Sequence, residues 1–187
     1  MVKKNNHVAF RRKFIPDIAI RDAKLSGKTN FRGEERMRKG RIVNNAGNRN
    51  FCVDIPREGV MLADGTDDWI TPEELIEQGW PLKIHAGSED DEPSYYMSVK
   101  VNFSFRAPTV WSVVGSKRVR VGEDTIDLFD GRNFSRVNLI IHPSIRQDWD
   151  TGETAVSVYL AEGFFYVATS PFEQEWQDEH PDEDDWA

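Results

Sequence analysis

Cationic and aromatic side chains are concentrated together in the first part of this chain. Between positions 24 and 49 stand Lys24, Lys28, Arg32, Arg36, Arg38, Lys39, Arg41 and Arg49, with Phe31 as the only aromatic residue among them. Ammonium and guanidinium groups neutralise phosphates, and an aromatic face can stack an unpaired base for ~1–3 kcal/mol. An unpaired polynucleotide needs both in one groove. Further residues of the same two kinds follow. Tyr96 and Lys100 fall on the polar side of a long alternating segment whose other side carries Tyr95, Met97, Val99, Val101, Phe103 and Phe105. Arg106 lies just beyond it, and Trp111 precedes Lys117, Arg118 and Arg120, the two arginines opposite the expected core residues Val119 and Val121. The expected contact set is therefore Lys28, Phe31, Arg32, Arg36, Arg38, Lys39, Arg49, Tyr96, Lys100, Arg106, Trp111, Arg118 and Arg120. The rings have competing uses. Phe31 either stacks or anchors its loop to the core, and Tyr96 either stacks or covers a sheet edge. Trp111, on a short strand, either stacks or packs inward. Phe51 shares a face with Val53 and Ile55 and is expected in the core.

The opposite charge closes the chain. Residues 173–187 hold eight acids and no Lys or Arg, and end Asp184-Asp185-Trp186-Ala187. Such a segment buries too little apolar surface to offset its ordering entropy, so residues 172–187 are expected to form a disordered acidic tail. The whole chain has 32 acids and 24 Lys/Arg, so removing the tail leaves a neutral body. Within that body, residues 1–49 carry fourteen bases against four acids, and residues 50–92 carry twelve acids against Arg57 and Lys83. A basic front and an acidic tail suggest a polyanion-binding surface together with a competitor for it. In that reading Asp182, Glu183, Asp184, Asp185 and Trp186 recruit partner proteins, with Trp186 as the anchor.

Catalytic chemistry finds little support. Gly27-Lys28-Thr29 lacks the upstream glycine of a phosphate-binding loop, because Asp22 stands there. His7, His85, His142 and His180 are scattered, and Cys52 is the only cysteine, so neither a metal nor any other cofactor is expected. Glu89-Asp90-Asp91-Glu92 could in principle hold Mg²⁺ for a nuclease, but four consecutive acids on a loop read better as a solvated turn. A second alternative is an acidic DNA mimic that binds a host protein. No apolar run approaches the ~20 residues of a membrane span. The N-terminus is basic without the apolar stretch of a signal peptide, so a cytoplasmic location is expected.

These residues must be positioned by a body of about 155 residues. Positions 1–16 read as a basic, weakly ordered arm and 17–171 as one domain. Alternation predicts strands near 18–21, 50–55, 80–84, 95–105, 110–114, 118–121, 137–142, 154–161 and 164–169. Ser26 to Asn48 reads as a long basic loop or flexible hairpin, and Glu162-Gly163 reads as a turn. One helix is well marked: Thr71 as N-cap, Pro72 at the first helical position, Glu74 completing a capping box and Gly79 as the stop. Many short strands with one helix argue for a small β-barrel or sandwich.

Taken together, the chain resembles bacteriophage single-stranded DNA-binding proteins with an acidic C-terminal tail. The resemblance rests on Asn30-Phe31-Arg32-Gly33, Arg49-Asn50-Phe51-Cys52-Val53 and Gly79-Trp80-Pro81-Leu82-Lys83. It continues in the alternating 95–105 strand, Val137-Asn138-Leu139-Ile140-Ile141 and Val158-Tyr159-Leu160, in that order. It implies a mainly β, OB-fold-like five-stranded barrel with added hairpins and one short α-helix. It further implies sequence-tolerant binding of single strands during phage replication or recombination in the host cytoplasm. Self-association into a homo-oligomer is left open.

Overall fold

Cross-strand alternation builds this molecule, and the pair at its centre shows how. In the computed structural model, which describes residues 14–85, 92–147 and 150–170, residues Arg49–Ile55 and Ser94–Val101 form an antiparallel ladder. Phe51 faces Val99 and Val53 faces Met97, all buried, while Asn50 faces Lys100 on the other side. With a side-chain period of two, one face becomes core and the other stays available for recognition.

The strands in chain order are β1 (Ile18–Ile20), β2 (Leu25–Asn30), β3 (Arg36–Arg38), β4 (Arg41–Asn44), β5 (Arg49–Ile55), β6 (Val60–Leu62) and β7 (Trp69–Ile70). After helix α1 (Pro72–Glu77) come β8 (Lys83–His85), β9 (Ser94–Val101), β10 (Thr109–Val114), β11 (Lys117–Val121), a 3-10 turn at Ile126–Phe129, β12 (Phe134–Gln147) and β13 (Thr154–Val167). One large sheet runs β2-β5-β9-β13-β12-β1-β6-β7, with β8 beside β9, and β10 between β13 and β11; β3 and β4 form a separate hairpin. Inside it lies a single cluster centred on Phe31, Phe51, Met97, Ile141, Leu160 and Phe165. The expected mainly β architecture with one short α-helix is present. No described helix is long and apolar enough to cross a membrane.

Helix α1 carries the predicted capping box, with Glu74 N–H donating to Thr71 Oγ1 and Thr71 N–H donating to Glu74 Oε2. The basic 24–49 segment resolves into β2 and the β3–β4 hairpin, which turns at Lys39-Gly40, both with positive φ. Two expectations are corrected. The strand predicted to run through Phe105 stops at Val101, because Asn102 Oδ1 accepts the N–H groups of Ser104 and Phe105 and folds the chain into a turn. Phe105, assigned to the core side, is 92% exposed. The two predicted strands flanking Glu162-Gly163 are one continuous strand, β13. Gly163 is there for space: a Cβ would sit 2.7 Å from the Phe165 ring.

The Asn30-Phe31-Arg32-Gly33 motif proves to be a folded turn. Buried Asn30 accepts Glu34 N–H through Oδ1 and donates through Nδ2 to Glu34 O. Gly33 adopts φ +69° with its Cβ position 3.0 Å from the Gly47 backbone, so any side chain would clash. Asp130 clamps the same turn, accepting from Thr29 Oγ1 at 2.7 Å, Phe31 N–H at 3.0 Å and Arg32 N–H at 2.8 Å. Partial burial opposes ionisation of Asp130, but these hydrogen bonds and the Arg32 charge outweigh it and hold the carboxyl below its usual range.

A carboxyl depressed in the folded state stabilises above its unfolded pKa and loses that contribution as pH falls through the folded value. Asp130→Asn should therefore cost about 1–2 kcal/mol at neutral pH. Chemical denaturation should show that deficit shrinking below about pH 4, where the unfolded carboxyl titrates. An equal deficit at pH 7 and pH 3 would contradict the clamp.

Candidate nucleic-acid interface

Outward-facing residues of the sheet define where a ligand can sit. Along β12 the buried positions are Val137, Leu139, Ile141 and Pro143, an unbroken odd series. Along β13 they are Val158 and Leu160, then Gly163 and Phe165, because the register shifts between Ile141↔Leu160 and Ile140↔Glu162. This bulge changes the parity of β13 in mid-strand. Tyr159 therefore shares the outward face with Phe164 and Tyr166, although their sequence spacing is mixed.

Each end of this row is joined by cations. Tyr159 pairs across the sheet with Lys100, whose ammonium lies 5.7 Å from the ring centroid and 3.2 Å from Ser157 Oγ. Phe164 pairs with Trp111 on β10, the rings near-parallel at 6.5 Å. Arg118 and Arg120 of β11 sit over the Trp111 ring at 4.9 and 5.4 Å. Arg136 of β12 covers Tyr166 at 3.9 Å. Such contacts are favourable at surface sites.

At the Tyr159 end the surface deepens into a groove of about 880 Å³, between the base of the β3–β4 hairpin, the start of β5 and the end of β9. Arg36, Arg49, Lys100 and Arg146 line it together with Tyr159, Asn44, Asn50 and Glu123. Its wall is built by amides: Asn44 Nδ2 donates to Glu34 O and Asn48 O, and Asn50 Nδ2 donates to Asn44 Oδ1. Arg49 is 18% exposed and paired with Glu123 at 3.2 Å and Asp127 at 3.6 Å, so much of its charge is already compensated. Arg36 donates to Lys28 O and Thr29 O, which ties the hairpin to β2. A second cavity, of about 1000 Å³, holds Lys24, Lys28, Arg132 and Arg136 but also Asp22 and Asp54. Its one ring, Phe134, packs on the core, which leaves no stacking face there.

The predicted contact residues divide accordingly. Arg36, Arg49 and Lys100 come together in the groove, and Trp111, Arg118 and Arg120 form one cation–aromatic cluster. Arg38 and Lys39 stand exposed at the hairpin tip, and Arg106 on the exposed loop after β9. Lys28 lines the second cavity. Arg32 lies outside both, 4.0 Å from Glu34. Tyr96 is on the outward face of β9 but toward its other end, with His85 stacked on it at 4.6 Å. Phe31 is corrected outright: it is fully buried, packed against Phe51, Phe129 and Phe165, and offers no face to a base. Val119, expected in the core, is 64% exposed. The tail residues Asp182, Glu183, Asp184, Asp185 and Trp186 lie outside the described residues, as do positions 1–13 of the expected arm.

Tyr159, Phe164, Tyr166, Arg136, Arg146 and the exposed Phe105 are absent from the predicted set. The sequence Val158-Tyr159-Leu160 did hold a signal, since a tyrosine between two core aliphatics must point outward. Of the acidic loop proposed for Mg²⁺, Glu92 is ion-paired with Arg57, and Glu89, Asp90 and Asp91 fall outside the described residues. Among the described residues no three His, Cys, Asp or Glu side chains converge as metal ligands.

A family model described as "Putative phage ssDNA-binding domain" matches residues 9–185. A comparison with curated protein sequences finds no match. Among solved structures, the single-stranded DNA-binding protein from bacteriophage Enc34 in complex with ssDNA is similar over 84% of this chain and 89% of that one, with 12% identity and a TM-score of 0.42. A C-terminal truncation of the same Enc34 protein matches with 14% identity over 84% and 88% of the chains and a TM-score of 0.43. The single-stranded DNA-binding protein gp2.5 encoded by bacteriophage T7 matches over 90% of this chain and 99% of that one, at 10% identity and a TM-score of 0.32. With nearly its whole length inside the family model, the chain belongs to the phage single-stranded DNA-binding domain family.

Proposed function

We propose that the single strand runs along the outward face of β13, from the groove at Lys100 and Tyr159 past Phe164 and Trp111 to Tyr166 and Arg136. The carrying observation is that three rings on this one surface, Tyr159, Trp111 and Tyr166, each carry a cation. From Tyr159 to Tyr166 is seven residues, roughly 23 Å of extended strand. A base entering the row displaces a guanidinium from its ring, and that guanidinium turns to the adjoining phosphate. Every base has a stacking face and every nucleotide a charge, so binding of this kind is largely independent of sequence. Protection of single strands during phage replication or recombination, in the cytoplasm of the host, is the role this activity fits.

We assign DNA binding to residues 17–171 and a regulatory role to residues 172–187. The acidic tail, with Asp182, Glu183, Asp184 and Asp185, competes for the groove when DNA is absent. When DNA displaces it, the tail presents Trp186 to replication or recombination proteins. Its charge pattern supports this: eight acids and no Lys or Arg in the last fifteen residues.

Two predictions follow from the path. Tyr159→Ala should weaken binding to oligo-dT by ~1–3 kcal/mol, and Lys100→Ala should reduce the log–log salt slope by about 0.7. Tyr96→Ala, toward the other end of β9 from the groove, should change affinity little; if it costs as much as Tyr159→Ala in a salt-titrated fluorescence assay, the path is misplaced. Separately, deletion of residues 173–187 should tighten oligo-dT binding at low salt, the advantage fading as salt screens both ligands. Unchanged affinity would remove the tail as a competitor.

A further inference from the structure

Exposed side chains of opposite charge stand at the two ends of the β5–β9 ladder. The β5–β9 ladder runs from the Arg49↔Val101 pair to the Ile55↔Tyr95 pair, six residue steps, or roughly 20 Å apart. At the first end stands the β3–β4 hairpin. Its tip carries Arg38, Lys39 and Arg41, and it exposes the apolar side chains Met37, Ile42 and Val43 at 52–62%. At the second end lie β8, paired with the start of β9, and α1, where Tyr95 Oη donates to Glu73 Oε1. This end exposes Trp69, Ile76 and Ile84 at 42–60%. Around them are Asp67, Asp68 and Glu77, all exposed, with Lys83 as a minority cation and Arg57 paired to Glu92. Each end is thus an apolar patch rimmed by charge, and the two rims have opposite signs. None of these acids belongs to the groove.

We infer that this protein docks head to tail with a second copy of itself, the basic hairpin of one molecule seating on the acidic β7–α1–β8 end of the next. Two unlike patches on one chain make a heterologous contact, which extends along a line unless its rotation closes a ring. A line is the form of the ligand. The arrangement gives Asp67, Asp68, Glu73 and Glu77 a use that DNA contact does not, because none of them lines the groove. Opposite rims set orientation and exclude a hairpin-to-hairpin contact, in which like charges would face each other. The exposed Met37, Ile42, Trp69 and Ile76 supply the apolar surface that association removes from water. The competing occupant of the hairpin is the chain's own acidic tail, and the experiment separates the two.

The test uses the full chain and two charge reversals: Arg38→Glu with Arg41→Glu on the hairpin, and Asp67→Lys with Glu77→Lys at the far end. Sedimentation velocity without DNA, at low salt, should show reversible self-association in the wild type. It should be lost in each reversal alone and regained when the two reversals are mixed in equal amounts, since every hairpin then meets an end of opposite sign. On poly(dT), the wild type should bind each site about tenfold tighter than on an oligonucleotide that holds one molecule, a difference of ~1.4 kcal/mol. The Asp67→Lys/Glu77→Lys protein should bind both lattices alike. Association that survives the far-end reversal, or that disappears on deleting residues 173–187, overturns the proposal; the latter identifies the tail as the occupant. Only the lattice measurement rests on the DNA-binding reading, so a failure of that reading would leave the sedimentation result standing.

Discussion

The fold and the interface both depend on the turn at residues 30–33 and the carboxylate that holds it. Asp130 gathers the backbone N–H groups of Phe31 and Arg32 and the hydroxyl of Thr29, while Asn30 closes the loop onto Glu34. Two things follow from one geometry. The Phe31 ring is driven into the centre of the aromatic core, in contact with Phe51, Phe129 and Phe165. The chain then leaves the sheet at the angle that places the β3–β4 hairpin beside the groove, where Arg36 ties it back to β2. An aromatic residue amid cations looks like a recognition element, yet here it supplies the foundation on which recognition stands. The energetic reason is plain: a fully buried Phe contributes about 1.5–3 kcal/mol, more than most exposed stacking positions return before a ligand arrives.

The second determinant is the bulge in β13. Had the strand kept a strict period of two, Tyr159 would face outward while Phe164 and Tyr166 faced the core. One extra residue between Leu160 and Gly163 reverses the parity, and three rings line one surface. Gly163 makes this feasible, since the Phe165 ring occupies the space a side chain would need.

How much of this was legible in the sequence depends on how local the cause is. The capping box of α1, the alternation of β5 and β9 and the β10–β11 hairpin are set by neighbours a few residues apart, and all were readable. Arg36, Arg49, Lys100 and the Trp111–Arg118–Arg120 group were named from residue type alone, and the fold gathers the first three into the groove and the others into one cation–aromatic cluster. Phe31 and Phe105 were misjudged in opposite directions: one is claimed by Asp130, 99 positions away, and the other is turned out by the Asn102 side chain. The row of Tyr159, Phe164 and Tyr166 was hidden because a bulge is a property of two strands in register, and Glu162-Gly163 carries the composition of a turn. Charge segregation was visible at once, but only the topology puts the β3–β4 hairpin with Arg38, Lys39 and Arg41 at one end of the β5–β9 ladder and Glu73 of α1 at the other.

The central claim is that a single strand occupies the outward face of β13. Photocrosslinking with 5-iodouracil-substituted oligo-dT, followed by mass spectrometric mapping, tests it most directly. The account predicts adducts on Tyr159 and Trp111, with Phe164 or Tyr166 completing the track. Adducts confined to Tyr96, His85 and the β7–α1–β8 end, with none on β13 or Trp111, would contradict it.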